Sequence, residues 1–133
     1  MTAVRLSAPA ESDRRPTAID EDHLARMTLG DRRLEREVLE IFVRQTTIML
    51  NRIVGAEPAL AAAAAHTLKG SARGIGAWRV ARAAELLEQA ATGDCSEGGI
   101  DEAIEELKAA SLEASAAIGT RLTELLAELA RDR

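Results

Sequence analysis

Apolar residues recur along most of this chain every three to four positions, the period of a helix with one buried face. The stripe Leu34, Val38, Ile41, Phe42, Ile48, Met49 and Ile53 predicts a helix from about Arg32 to Gly55. A shorter helix is predicted before it, from about Asp20 to Leu29, with Gly30 at the C′ position and Asp31 placed to cap the next helix. Pro58 suits the first turn of a third helix, where its missing N–H costs nothing. That helix should bury Leu60, Ala61, Ala64, Leu68, Ser71 and Ile75 and stop around residues 74–76. A fourth should run from about Ala77 to Thr92 on Val80, Ala83, Ala84, Leu87 and Ala91. The last should run from about Gly99 towards the C-terminus on Ile100, Ile104, Leu107, Ala114, Ile118, Leu122, Leu125 and Leu129, with Gly119 loosening or bending it.

Short connections between helices of this length favour antiparallel neighbours. The expected fold is therefore all-α: an antiparallel up-down four-helix bundle with a short additional N-terminal helix. Residues 1–17 carry no periodicity and read as a flexible N-terminal tail, leaving 18–133 as the helical domain. No repeat of twenty to fifty residues occurs, which excludes a solenoid.

Composition agrees with helices. Hydrophobic residues make up 47% of the 133 residues but aromatics only 2%, so strand formers are sparse. A net charge of −5 offers no general attraction to nucleic acid, and Phe42 and Trp78 alone provide no stacking platform. One cysteine, Cys95, permits no internal disulfide and suits a reducing compartment. There is neither an apolar run long enough to span a bilayer nor a basic-then-apolar leader, so residence in the cytoplasm is expected, with no membrane contact.

The candidate chemistry lies in the stretch AAAAHTLKGSARGIG, residues 62–76. On a helical wheel His66 stands opposite the core stripe, among Ala59, Ala62, Ala63, Lys69, Gly70 and Arg73. Nothing bulky overhangs the ring, and Gly70 removes even a Cβ one turn on, at a cost of about 1 kcal/mol in a helix interior. A neutral imidazole has a lone pair with which to attack. Lys69 and Arg73 would place cations on the same face, where they would keep the ring neutral and offset the charge of an incoming oxyanion. His23, the other histidine, lies on a different helix with no companion at ligand spacing and reads as a surface or cap-adjacent residue; no metal site is expected.

His66-Thr67-Leu68-Lys69-Gly70-Ser71-Ala72, then Ile75-Gly76-Ala77, then Ala83 and Leu86-Leu87-Glu88, resembles the signature of histidine-containing phosphotransfer (HPt) domains. Gly30-Asp31, Leu39 and Phe42 resemble that family's entry into its second helix, and the likeness covers about residues 18–125. The resemblance implies a phosphorelay intermediate in two-component signal transduction. His66 would be phosphorylated on its distal ring nitrogen, by one receiver-domain aspartate, and would pass the group to another. Lys69 would assist the phosphoryl charge and Gly70 would give clearance. The partners implied are response-regulator receiver domains and a hybrid histidine kinase. No cofactor is expected on this chain, because magnesium belongs to the receiver, and the chain should be a monomer. Arg73, Ala62 and Ala63 are assigned to partner binding from the wheel alone. Trp78 departs from the small or polar residues usual after Gly-Ala and reads as a packing residue.

Whether such a protein counts as an enzyme is left open, since the chain has no glycine-rich nucleotide loop and would not use ATP. Two other readings remain at this stage. One is a non-catalytic helical adaptor that docks a partner on its alanine face. The other is the dimerisation bundle of a histidine kinase, in which an acidic residue usually follows the histidine, where Thr67 stands here.

Overall fold

The computed structural model describes residues 18–93 and 99–132, and the predicted tail and Cys95 lie outside the described residues. Five helices follow one another: α1 (Glu21–Met27), α2 (Arg32–Ile53), α3 (Pro58–Ile75), α4 (Trp78–Ala91) and α5 (Gly99–Arg131). In the bundle α3 packs between α2 and α4, and α5 also packs between α2 and α4, so α3 and α5 stand diagonally across the core. Helix α1 lies against α3. This is the expected up-down bundle with its extra N-terminal helix.

Local chemistry sets most of the boundaries. The carboxylates of Asp20 and Asp31 accept backbone N–H bonds at the starts of α1 and α2. Pro58 opens α3, and Gly76 closes it in the left-handed conformation (φ 82°), with the Ala77 N–H returning to the Ala72 carbonyl. A Cβ at Gly76 would stand 2.9 Å from Asp20, so this turn also lets α1 approach closely.

Helix α1 ends sooner than its sequence suggests. Thr28 is buried, its hydroxyl donates to the Leu24 carbonyl, and the chain turns at Leu29, a non-glycine residue at φ 56°. The Leu29 N–H bonds Arg26 and the Gly30 N–H bonds Ala25, so leucine takes the position where glycine is usual and Gly30 follows it. The cost of a left-handed leucine is about 1–2 kcal/mol. Gly119 does not interrupt α5, which runs unbroken to Arg131.

The core is built on Leu24, Leu39, Phe42, Ile53, Leu68, Leu87, Leu107, Ile118 and Leu125. Two predicted stripes are corrected. On α2, Leu34, Ile41 and Ile48 face solvent, whereas Glu35, Leu39 and Thr46 are buried. The helix is turned so that Glu35 meets Arg121 on α5 in a two-pronged pair, Nε to Oε2 at 2.6 Å and Nη2 to Oε1 at 3.1 Å. On α3, Leu60 is exposed and Ala65 and Ala72 are buried instead. Those alanines, with Ala81 and Ala84 on α4, let two helix backbones come close. Ser71, Ala91, Ile100, Ile104, Leu122 and Leu129 are only half-buried.

Candidate site on the α3–α4 face

Helices α3 and α4 form an antiparallel hairpin folded about Ala77. His66 lies eleven residues before that point and Glu88 eleven after it, so the hairpin sets them opposite one another. Glu88 Oε2 stands 2.9 Å from His66 Nδ1, and Glu88 Oε1 accepts a bond of 2.9 Å from Lys69 Nζ. The Lys69 ammonium, and to a smaller extent the His66 ring, hold the Glu88 carboxyl below its ordinary pKa, against a partly opposing effect of burial. Glu88 is thus ionised near neutrality and can only accept. Nδ1 must therefore carry the hydrogen, and in the neutral ring the lone pair is left on Nε2. The side chain of His66 is 67% exposed.

The expected clearing is present. Ala59, Ala63 and Gly70 are exposed and Ala62 is half-buried. A Cβ built on Gly70 meets nothing within 4 Å, so no atom of this chain requires glycine there. The cations are arranged differently from the wheel reading. Lys69 is only 15% exposed and is turned towards α4, where Glu88 takes its charge. Arg73 stays out in solvent, with Glu85 at 4.0 Å. On the other flank, the Ser71 hydroxyl donates to Gln45 Oε1 at 2.7 Å and ties α3 to α2.

Glu88 is the site member to which the sequence reading gave no role, although it belongs to the quoted signature. Counting outwards from the Gly76-Ala77 turn would have paired it with His66. His23 and Trp78 also do more than expected. His23 Nε2 donates to the Arg73 carbonyl at 3.0 Å, and its ring lies 4.9 Å from that of Trp78. Trp78 Nε1 donates to Asp20 at 2.9 Å, and this bond is the leading reason the Asp20 carboxyl sits below its usual pKa. Together they pin α1 to the last turn of α3, one turn beyond Gly70, and to the first residue of α4. Among the described residues no group of three or more His, Cys, Asp or Glu side chains could hold a metal ion, and no helix is long and apolar enough to cross a membrane.

The fold is that of a known structure. A rice protein, solved by X-ray crystallography under the name histidine-containing phosphotransfer protein, superposes with a TM-score of 0.73 over 92% of this chain and 91% of its own, at 19% identity. No curated protein matches the chain by sequence. A family profile described as the Hpt domain does match, over residues 37–132, which include all of α3, α4 and α5. By that match, this chain belongs to the Hpt domain family of histidine-containing phosphotransfer proteins.

Proposed function

We propose that His66 is the phosphoryl carrier of this domain, taking the group from the aspartyl phosphate of one receiver domain and giving it to the aspartate of another. The observation that carries this reading is the Glu88 carboxylate on Nδ1, which leaves the Nε2 lone pair directed away from the bundle in a clearing of alanines and Gly70. In the forward step, Nε2 attacks the phosphorus of the acyl phosphate. The N–P bond forms, the P–O bond to the receiver aspartate breaks, and the aspartate leaves as carboxylate. Nδ1 keeps its hydrogen throughout, so the phosphorylated ring is a cation and Glu88 sits against it as counter-charge. The return step reverses this sequence.

Lys69 acts in the same unit. It holds Glu88 in place and puts a positive charge beside the ring when the phosphoryl group arrives. Arg73, together with the small residues Ala62 and Ala63, faces the docking receiver, where an exposed cation meets the acidic rim that a receiver needs around its own magnesium. The magnesium and most of the charge stabilisation come from the receiver, and this domain contributes a positioned nucleophile. The natural setting is the cytoplasm, with response regulators and a hybrid histidine kinase as partners.

The test is phosphoryl uptake from a receiver domain charged with acetyl phosphate. Acid-labile label should appear on this chain, persist in His23→Gln and vanish in His66→Gln. Label retained on His66→Gln would overturn the assignment, and binding of the receiver with no label on the wild type would favour an adaptor.

A further inference from the structure

Two hydroxyls in the core stand apart from the bonds that join the helices. Thr46 on α2 and Ser111 on α5 are each 3% exposed, and neither Thr46 Oγ1 nor Ser111 Oγ bonds any group among the described residues. Thr28, Thr47, Thr120 and Thr123 satisfy their hydroxyls locally, each donating to the carbonyl four residues back. Cross-helix bonds place the two orphans at one level of the bundle. Eleven steps along α2 from Glu35 lead to Thr46, and ten back along α5 from its partner Arg121 lead to Ser111. Two steps along α4 from Arg79 lead to Ala81, and two back from its partner Glu113 lead again to Ser111. Counting from the Gln45–Ser71 and His66–Glu88 contacts brings α3 to the same level close to Ala72. Thr46, Ala72, Ala81 and Ser111 are all buried, so this layer of the core is lined by small side chains. Bulkier ones stand about one turn away on both sides, Phe42 and Ile75 towards α1, Leu68 and Leu107 towards the end that carries His66.

We propose that this layer binds a single water molecule, which bridges Thr46 Oγ1 to Ser111 Oγ. A hydroxyl both donates and accepts, so one water can donate to one oxygen and receive from the other. With no side chain larger than threonine at this level, a water fits between α2 and α5, and two polar partners suffice to hold it. The site suits water and little else. Neutral hydroxyls offer no charge to an ion, and among the described residues no group of three or more His, Cys, Asp or Glu could hold a metal. A buried hydroxyl left without a partner weakens a fold more than its hydrogen bond would strengthen it. Two of them at one level, on adjacent helices, are answered by one shared ligand. The bridge ties α2 to α5 a second time, about 16 Å along the bundle from the Glu35–Arg121 pair. It lies apart from His66, whose side chain is 67% exposed.

Urea unfolding of the full chain separates a bridge from two orphaned hydroxyls by the sign of the effect. With the water in place, Thr46→Val and Ser111→Ala should each lower the folding constant about fivefold, as expected for the loss of roughly one net hydrogen bond. The double variant should lie no more than about fivefold below the wild type, because the same water is lost in all three variants. An unchanged or higher folding constant for either single variant would mean that its hydroxyl has no partner to lose. Losses that multiply in the double variant would mean that the two hydroxyls share no ligand. Either result would overturn the proposal. Independently of any variant, a crystal structure fine enough to resolve ordered water should place one within hydrogen-bonding distance of both oxygens. Hydroxyls turned back onto the Phe42 and Leu107 carbonyls, or bonded directly to each other with no water between, would overturn it as well.

Discussion

Glu35 and Glu88 both join two helices through a carboxylate, in opposite circumstances. Glu35 is buried and grips one permanently charged partner, Arg121, through both oxygens. The contact raises the already high pKa of the guanidinium, so Arg121 keeps its charge throughout. Glu88 is more open and divides its oxygens between a lysine and a ring that can gain or lose a proton. The first arrangement resists change and sets how α2 is turned against α5. The second costs little to rearrange and fixes which nitrogen of His66 is free. A buried carboxylate ties the fold here, and a half-buried one, beside an exposed ring, leaves Nε2 of His66 free.

Three measurements separate these roles. The largest effect is expected for Glu35→Ala. Arg121 keeps Glu124 at 3.1 Å and Glu128 at 3.6 Å, so the loss should be about 2–3 kcal/mol, below the 3–5 kcal/mol of a fully orphaned buried charge. That corresponds to a fall in Tm of roughly 10 °C by calorimetry, with phosphoryl transfer from a charged receiver unchanged well below Tm. Transfer lost in step with stability would collapse the distinction.

The reverse pattern is expected for Glu88→Gln and Lys69→Ala. Transfer rates in stopped-flow should drop about tenfold, equivalent to about 1.4 kcal/mol of barrier, while Tm moves little, since an ion pair that still reaches solvent contributes about 1 kcal/mol. Receiver affinity should fall less than the rate. Equal losses in affinity and rate would make these residues docking contacts.

The smallest effect is acid dependence. The Glu88 carboxyl has a lowered pKa in the folded state, so its bonds stabilise the bundle fully above the ordinary value of 4.5 and are lost as pH falls through the lowered one. The small difference in urea midpoint between wild type and Glu88→Gln, present at pH 6, should therefore shrink towards zero at pH 3. A difference that widens in acid would contradict the assigned sign.

Most of the bundle was legible because its helix ends are written in single residues: Asp31, Pro58 and Gly76 each mark a boundary where the structure has one. Leu29 was not legible, because the preference for glycine at the left-handed position is overridden by the buried, hydrogen-bonded Thr28 beside it. The turn of α2 was missed for a similar reason. Periodicity ranks residues by hydrophobicity, and it could not anticipate that a glutamate would go inwards to meet an arginine 86 positions away. The clearing around His66 was readable from small residues on a wheel. Glu88 and the inward bend of Lys69 needed the neighbouring helix, which one wheel does not contain.

The junction of α1 with α3 and α4 has a practical corollary. Trp78 is the sole indole of the chain, and it is held between an ionised carboxylate and an imidazole. Its emission therefore reads that corner alone, undiluted by any other fluorophore of its kind. Lifting of the first helix from its seat, during unfolding or on mixing with a receiver domain, can be followed optically in the native protein with no label attached.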